Sequence, residues 1–130
     1  MRRAGGPRGP QLQPDTAGEE IRAFAKERDW ERFHTPKNLA MALAGEVGEL
    51  VAELQWLERE ELDEALAPGT ELHGRLTAEV ADVFIYLLRL ADTSDIDLIA
   101  AARDKLRVNA SRYPVETARG TAHKYSRLDG

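Results

Sequence analysis

Two acidic pairs, Glu46-Val-Gly-Glu49 and Glu79-Val-Ala-Asp82, interrupt stretches that otherwise read as buried helix, and no other feature restricts this chain as strongly. Laid over one another at an offset of 33 residues, Leu43, Glu46, Val47, Glu49, Leu50, Leu54 and Leu57 fall on Leu76, Glu79, Val80, Asp82, Val83, Leu87 and Leu90. One pattern is used twice. On a helix of ~3.6 residues per turn, positions i and i+3 share a face, so each pair presents two carboxylates side by side. Leu39, Leu43, Leu50, Leu54 and Leu57 form the adjoining stripe, with Glu46 pointing nearly the same way as Leu39 and Leu57. The carboxylates therefore border the core, where an unpaired one costs several kcal/mol. No Arg or Lys lies within residues 39–58 or 76–88, which leaves no ion-pair partner on the same segments. A cation answers both difficulties.

Ligands that are all oxygen favour magnesium, manganese or calcium over zinc or copper, and magnesium commonly completes its shell with water and a substrate phosphate. We therefore expect Mg2+, with Mn2+ as a substitute, on Glu46, Glu49, Glu79 and Asp82. Glu53 stands one turn beyond Glu49 and is a further ligand or an acid/base group for water; the alternative is an exposed helix charge. Tyr86 takes the equivalent place on the second segment. A di-iron bundle also gathers four carboxylates, but it adds Glu-x-x-His from each of two helices. Here that motif occurs once, as Glu31-Arg-Phe-His34 before Pro36.

The 130 residues fit one domain, and 18 basic against 23 acidic residues give a net charge of -5, which argues against a nucleic-acid partner held by its phosphates. The absence of cysteine excludes disulfides, zinc thiolates and thiol nucleophiles. No apolar run of ~18 residues suggests a membrane span, and Met1-Arg-Arg-Ala-Gly-Gly-Pro lacks the apolar stretch of a secretory signal. The reading is a cytoplasmic protein without a membrane partner, although an Arg-bearing leader is also compatible with organelle import.

Residues 1–15, rich in Pro and Gly, are expected to form a flexible tail. A capping box at Thr16-Ala-Gly-Glu19 predicts a first helix from Thr16 to about Trp30 or Phe33. Thr35-Pro36 predicts the start of a second helix that reaches about Glu58. Residues 59–69 read as a loop with local structure, with room for a short helical turn at Leu62, Ala65 and Leu66, and a third helix is predicted from about Glu71 to Ala91. Thr93-Ser94-Asp95 breaks and recaps the chain before a fourth helix, which stops by Tyr113-Pro114. The expected organisation is a helical domain over 16–114 followed by an irregular tail over 115–130. With no convincing period-two stretch, the fold class is all-α, a four-helix bundle-like arrangement.

Read together, Phe24-Ala-Lys-Glu-Arg-Asp-Trp-Glu-Arg-Phe-His-Thr-Pro-Lys-Asn-Leu39, Gly45-Glu-Val-Gly-Glu-Leu50, Gln55-Trp56, Glu79-Val-Ala-Asp-Val83, Tyr86-Leu87 and Arg112-Tyr-Pro114 form a long pattern. It resembles the all-α nucleotide pyrophosphohydrolases of the MazG type, and more closely their dCTP pyrophosphatase branch. The resemblance implies a MazG-type fold assembled as a dimer or a dimer of dimers. It also implies hydrolysis of a nucleoside triphosphate, dCTP or a modified dCTP, to the monophosphate and pyrophosphate, a house-cleaning role in nucleotide metabolism. Glu46, Glu49, Glu79 and Asp82 match its magnesium ligands; Glu46, Glu49 and Glu53 are the expected catalytic residues. Lys105, Asn109 and Tyr113 match positions that contact phosphate and sugar, and Tyr86 one under the sugar. Trp30, His34 and Trp56 are candidates for the base, the rings by stacking and His34 by a hydrogen bond. Asn38 resembles a further binding position. Where the branch carries a histidine near the base, this chain has Ile21, which puts strict cytosine preference in question. A non-catalytic nucleotide-binding or assembly module, and the same chemistry on another non-standard deoxynucleotide, stand as alternatives.

Overall fold

The structure, a computed structural model, describes residues 14–120. Among these residues every regular element is helical: α1 (Pro14–Glu27), a 3-10 turn (Glu31–Phe33), α2 (Pro36–Leu54), α3 (Arg59–Ala65), α4 (Glu71–Thr93), α5 (Leu98–Arg112) and α6 (Val115–Ala118). The all-α expectation holds. The described residues form two compact units, divided between Asp95 and Ile96. In the first, α4 is the central element, with α2 packed along it and α1 and α3 against its sides. The second contains α5 and α6.

Local signals explain most boundaries. Thr35 caps α2 by accepting the Asn38 amide at 3.1 Å, and Pro36 occupies the first turn, where its missing N–H costs nothing. Thr70 caps α4 in the same way through His73 N, at 3.2 Å. Three expectations are corrected. Helix α1 already begins at Pro14, so Thr16 lies within the helix and cannot cap it. The short turn expected within the loop 59–69 is a full helix, α3, over residues 59–65. The cap of α5 is Asp97, whose Oδ1 accepts Ala100 N at 3.1 Å, while Asp95 sits in the left-handed region with φ 54°. Of the two expected tails, residues 1–13 and 121–130 lie outside the described residues; within the second, Val115–Ala118 is a helical turn.

The end of α1 decides where Trp30 lies. Asp29 adopts φ 55°, tolerable because Asp visits the left-handed region more readily than most residues. Asp29 N donates to Lys26 O at 3.0 Å and Trp30 N to Ala25 O at 2.9 Å, the paired bonds of a Schellman motif. Its usual apolar contact is made by Trp30 on Phe24, with ring centroids 5.7 Å apart at 70°. A backbone reversal thus folds Trp30 back over α1 and directs the chain toward His34 and α2.

Candidate metal centre and adjoining cavity

Helices α2 and α4 meet through acidic side chains. One carboxylate oxygen from each of Glu46, Glu79 and Asp82 lies within 4.8 Å of the others. Glu46 and Glu79 are half-buried, and Glu46 Oε2 and Glu79 Oε2 are shut off from solvent without a hydrogen-bond partner. Withdrawal from water raises the Glu46 carboxyl above the ordinary 4.5, and the neighbouring charges of Glu49 and Asp82 add to the effect. Burial likewise raises Glu79, helped by a hydrogen bond with Glu49 and by the charges of Glu49 and Glu46. Glu49 itself is exposed. Stranded buried oxygens facing other carboxylates are the condition that a divalent cation relieves, and a donor set of oxygen alone suits magnesium, manganese or calcium.

A cavity of about 230 Å³ adjoins this cluster. Ile21, Phe24 and Ala25 of α1 line it, with Trp30, His34 and the α4 residues Asp82, Ile85, Tyr86 and Arg89. Asp82 belongs to both sites. The walls are largely apolar and aromatic, with a few convergent polar groups, the usual composition of a pocket for a planar ligand. Trp30 and His34 lie edge to face with centroids 6.3 Å apart.

Four of the residues singled out from sequence, Trp30, His34, Tyr86 and Asp82, thus meet at one cavity. Trp56 does not join them; it lies beyond α2 and is 83% exposed. Glu53 is held by Arg75, whose Nε lies 3.1 and 3.3 Å from its two oxygens. Arg75 stands one residue before the segment 76–88 that lacks basic residues. Asn38 donates its side-chain amide to Phe33 O at 3.0 Å and so braces the 3-10 turn before α2. Lys105, Asn109 and Tyr113 belong to the second unit, on α5 and at its end; Lys105 is exposed and Asn109 half-buried.

The sequence reading missed a charged network behind the cavity. Arg89, only 6% exposed, donates from Nε to His34 Nδ1 at 3.1 Å and from Nη1 to Asp92 Oδ2 at 2.9 Å. Arg22 of α1 grips both Asp92 oxygens, its Nε at 3.1 Å from Oδ2. Arg22 first, then Arg89, holds the Asp92 carboxyl below its usual range despite partial burial. Burial, and then the Arg89 charge, lowers His34. The i, i+3 spacing of Arg89 and Asp92 was the one available sign; that they serve His34, 55 positions earlier, is a tertiary fact.

Helices α2 and α4 bring an acidic cluster against an aromatic cavity, an arrangement that suits an all-α hydrolase acting on phosphoanhydride bonds. Known proteins similar to the chain narrow the class further. No family model matches it. It is 44% identical over 121 residues to dCTP pyrophosphatase 1 of Mus musculus and 42% identical over 122 residues to that of Homo sapiens, spanning 90% of this chain and 71% of each relative. Among solved structures, a pyrophosphatase from Archaeoglobus fulgidus superposes with a TM-score of 0.72 at 34% identity, over 84% of this chain and 99% of that one. The chain belongs to the dCTP pyrophosphatase family. None of its described helices is long and apolar enough to cross a membrane.

Proposed function

We propose that this protein is a magnesium-dependent pyrophosphohydrolase that converts a deoxynucleoside triphosphate, dCTP or a modified dCTP, to the monophosphate and pyrophosphate. The observation that carries the reading is the contact between two unlike sites: Glu46 and Glu79, each with a stranded carboxylate oxygen, cluster with Asp82, and Asp82 also lines the aromatic cavity. That juxtaposition suits a ligand with a polyanionic end and a flat aromatic end. The names of the relatives point to the same substrate.

Glu46, Glu49, Glu79 and Asp82 would hold Mg2+, with Mn2+ able to replace it. When bound, the cation neutralises triphosphate charge and supplies Lewis acidity at phosphorus. Attack by water on the α-phosphorus forms a new P–O bond and breaks the bond from that phosphorus to the α,β-bridging oxygen, releasing pyrophosphate. Glu49, exposed beside the cluster, is suited to take the proton of the attacking water, and Glu53, braced by Arg75, completes the acidic edge. Trp30 offers a stacking face and His34 a polar contact to the base, while Tyr86 serves the sugar. Asn38 and Trp56 in the first unit are proposed as further substrate contacts; Lys105, Asn109 and Tyr113 in the second are proposed as contacts on the strength of the resemblance. A panel of dCTP, methylated dCTP, dUTP and oxidised purine nucleotides tests this. We expect pyrophosphate as the first product, with dCTP or its methylated form preferred; orthophosphate as the first product would sink the reading. A non-catalytic binding module would show only background turnover of the whole panel.

Self-association accompanies the proposal. Met41, Val51, Val80 and Phe84 are exposed on α2 and α4 although both helices carry long apolar stripes, and Trp56 projects beyond α2. A second copy of the chain would cover such a surface in a homodimer or homotetramer. Light scattering is expected to give twice or four times the 14.5 kDa chain mass. A monomer at micromolar concentration would rule this out.

A further inference from the structure

We infer that Arg89 is a positioning residue that holds His34 in the tautomer with its hydrogen on Nε2, so that the cavity offers a fixed hydrogen-bond donor to an acceptor on the nucleobase. The inference rests on the nucleotide reading above. An arginine Nε is always a donor, and the guanidinium does not give up its proton in proteins. Its partner at 3.1 Å, His34 Nδ1, must therefore accept, and a neutral imidazole with an accepting Nδ1 carries its one hydrogen on Nε2. A second ring proton would set N–H against N–H beside a cation. Among the described residues, no hydrogen bond engages Nε2.

The geometry of Arg89 is itself over-determined. Asp92 accepts its Nη1 at 2.9 Å, and Arg22 reaches across from α1 to hold Asp92. The buried guanidinium is thus paired and fixed in place without His34, and the bond from Nε is free to impose a tautomer on a residue that lines the cavity. Polarity is what this controls. Cytosine and uracil share a shape, but ring N3 of cytosine accepts a hydrogen bond and that of uracil bears a hydrogen. A fixed Nε2–H favours the first and opposes the second, and the other tautomer reverses the preference. Ile21, also in the cavity wall, offers the base no polar contact.

Imidazole 15N spectra of the full chain, without metal or nucleotide, read the tautomer directly. The chain has three histidines, and His34→Asn identifies the signal of interest. At pH 7.5, wild-type His34 is expected to show an unprotonated Nδ1 and a protonated Nε2, and Arg89→Met a mixture of tautomers. In turnover, Arg89→Met is expected to raise KM for dCTP roughly tenfold, with a smaller effect on kcat, and to lower the dCTP-over-dUTP ratio of kcat/KM by a similar factor. An Nδ1–H tautomer or an imidazolium in the wild type overturns the inference, as does an unchanged dCTP-over-dUTP ratio in Arg89→Met. If that variant does not fold, the wild-type spectrum alone decides. A wild type with the Nε2–H tautomer but no turnover of any nucleotide supports the lock and rejects the proposed activity.

Discussion

Glu79→Gln is expected to lose pyrophosphate release by about 10²–10³-fold or more, the scale of removing one group that stabilises charge in a transition state, and yet to raise the melting temperature of the metal-free protein. The two signs have one cause. Glu79 Oε2 is buried without a partner, and Glu46, Glu49 and Asp82 crowd the same space, so the negative charge that would hold a cation is a liability without one. A neutral amide removes repulsion and with it the affinity for a divalent ion. Calorimetry with and without magnesium, beside a pyrophosphate assay, separates the effects. A variant that keeps wild-type turnover, or a metal-free protein that melts lower than wild type, would contradict this account.

The same crowding sets a pH dependence. Glu46 and Glu79 titrate above the ordinary 4.5 in the fold, so between that value and their raised ones the native chain binds more protons than the unfolded chain. Stability from these groups is therefore greatest in acid and declines as pH rises through that window, the reverse of a salt-bridged carboxylate. Saturating magnesium should suppress the decline.

Leu39→Ala carries the second large expected effect, a loss of about 2–5 kcal/mol of folding stability. At 1% exposure, Leu39 is the one large side chain among the described residues that is fully enclosed, and its amide makes an early backbone bond of α2, to Thr35 O at 2.9 Å. It sits two turns before Glu46 on the same face, so its packing helps set which way the carboxylate points. Domains of this size have ~5–15 kcal/mol in total, and the substitution could consume much of it. Urea unfolding followed by circular dichroism measures the change. A loss below about 1 kcal/mol would mean that the first unit is held elsewhere.

Glu46, Glu49, Glu79 and Asp82 could be singled out because helical periodicity is a local property: spacing of three and a surrounding leucine stripe place two acids on one apolar-bordered face whatever the rest of the chain does. Thr35-Pro36 marked the start of α2 for the same reason, since capping involves neighbours only. The Thr16 capping box misled because several nearby residues can begin a helix at little difference in energy, and the extent of α3 was not legible because a short polar helix leaves no periodic stripe. Trp30, His34 and Tyr86 were visible as aromatic candidates, but not as walls of one cavity. That depends on the left-handed turn at Asp29, which folds Trp30 back against Phe24.

By itself, then, the sequence determined an all-helical chain carrying two matched acidic pairs, because those features follow from contacts within a turn or two. Only the tertiary structure decided that Asp82 serves both the acidic cluster and the cavity, that Glu53 is taken up by Arg75, and that Arg89 reaches His34. Each of these depends on how α1, the 3-10 turn, α2 and α4 pack, and burial then converts that proximity into chemistry by removing the water that would otherwise screen the charges.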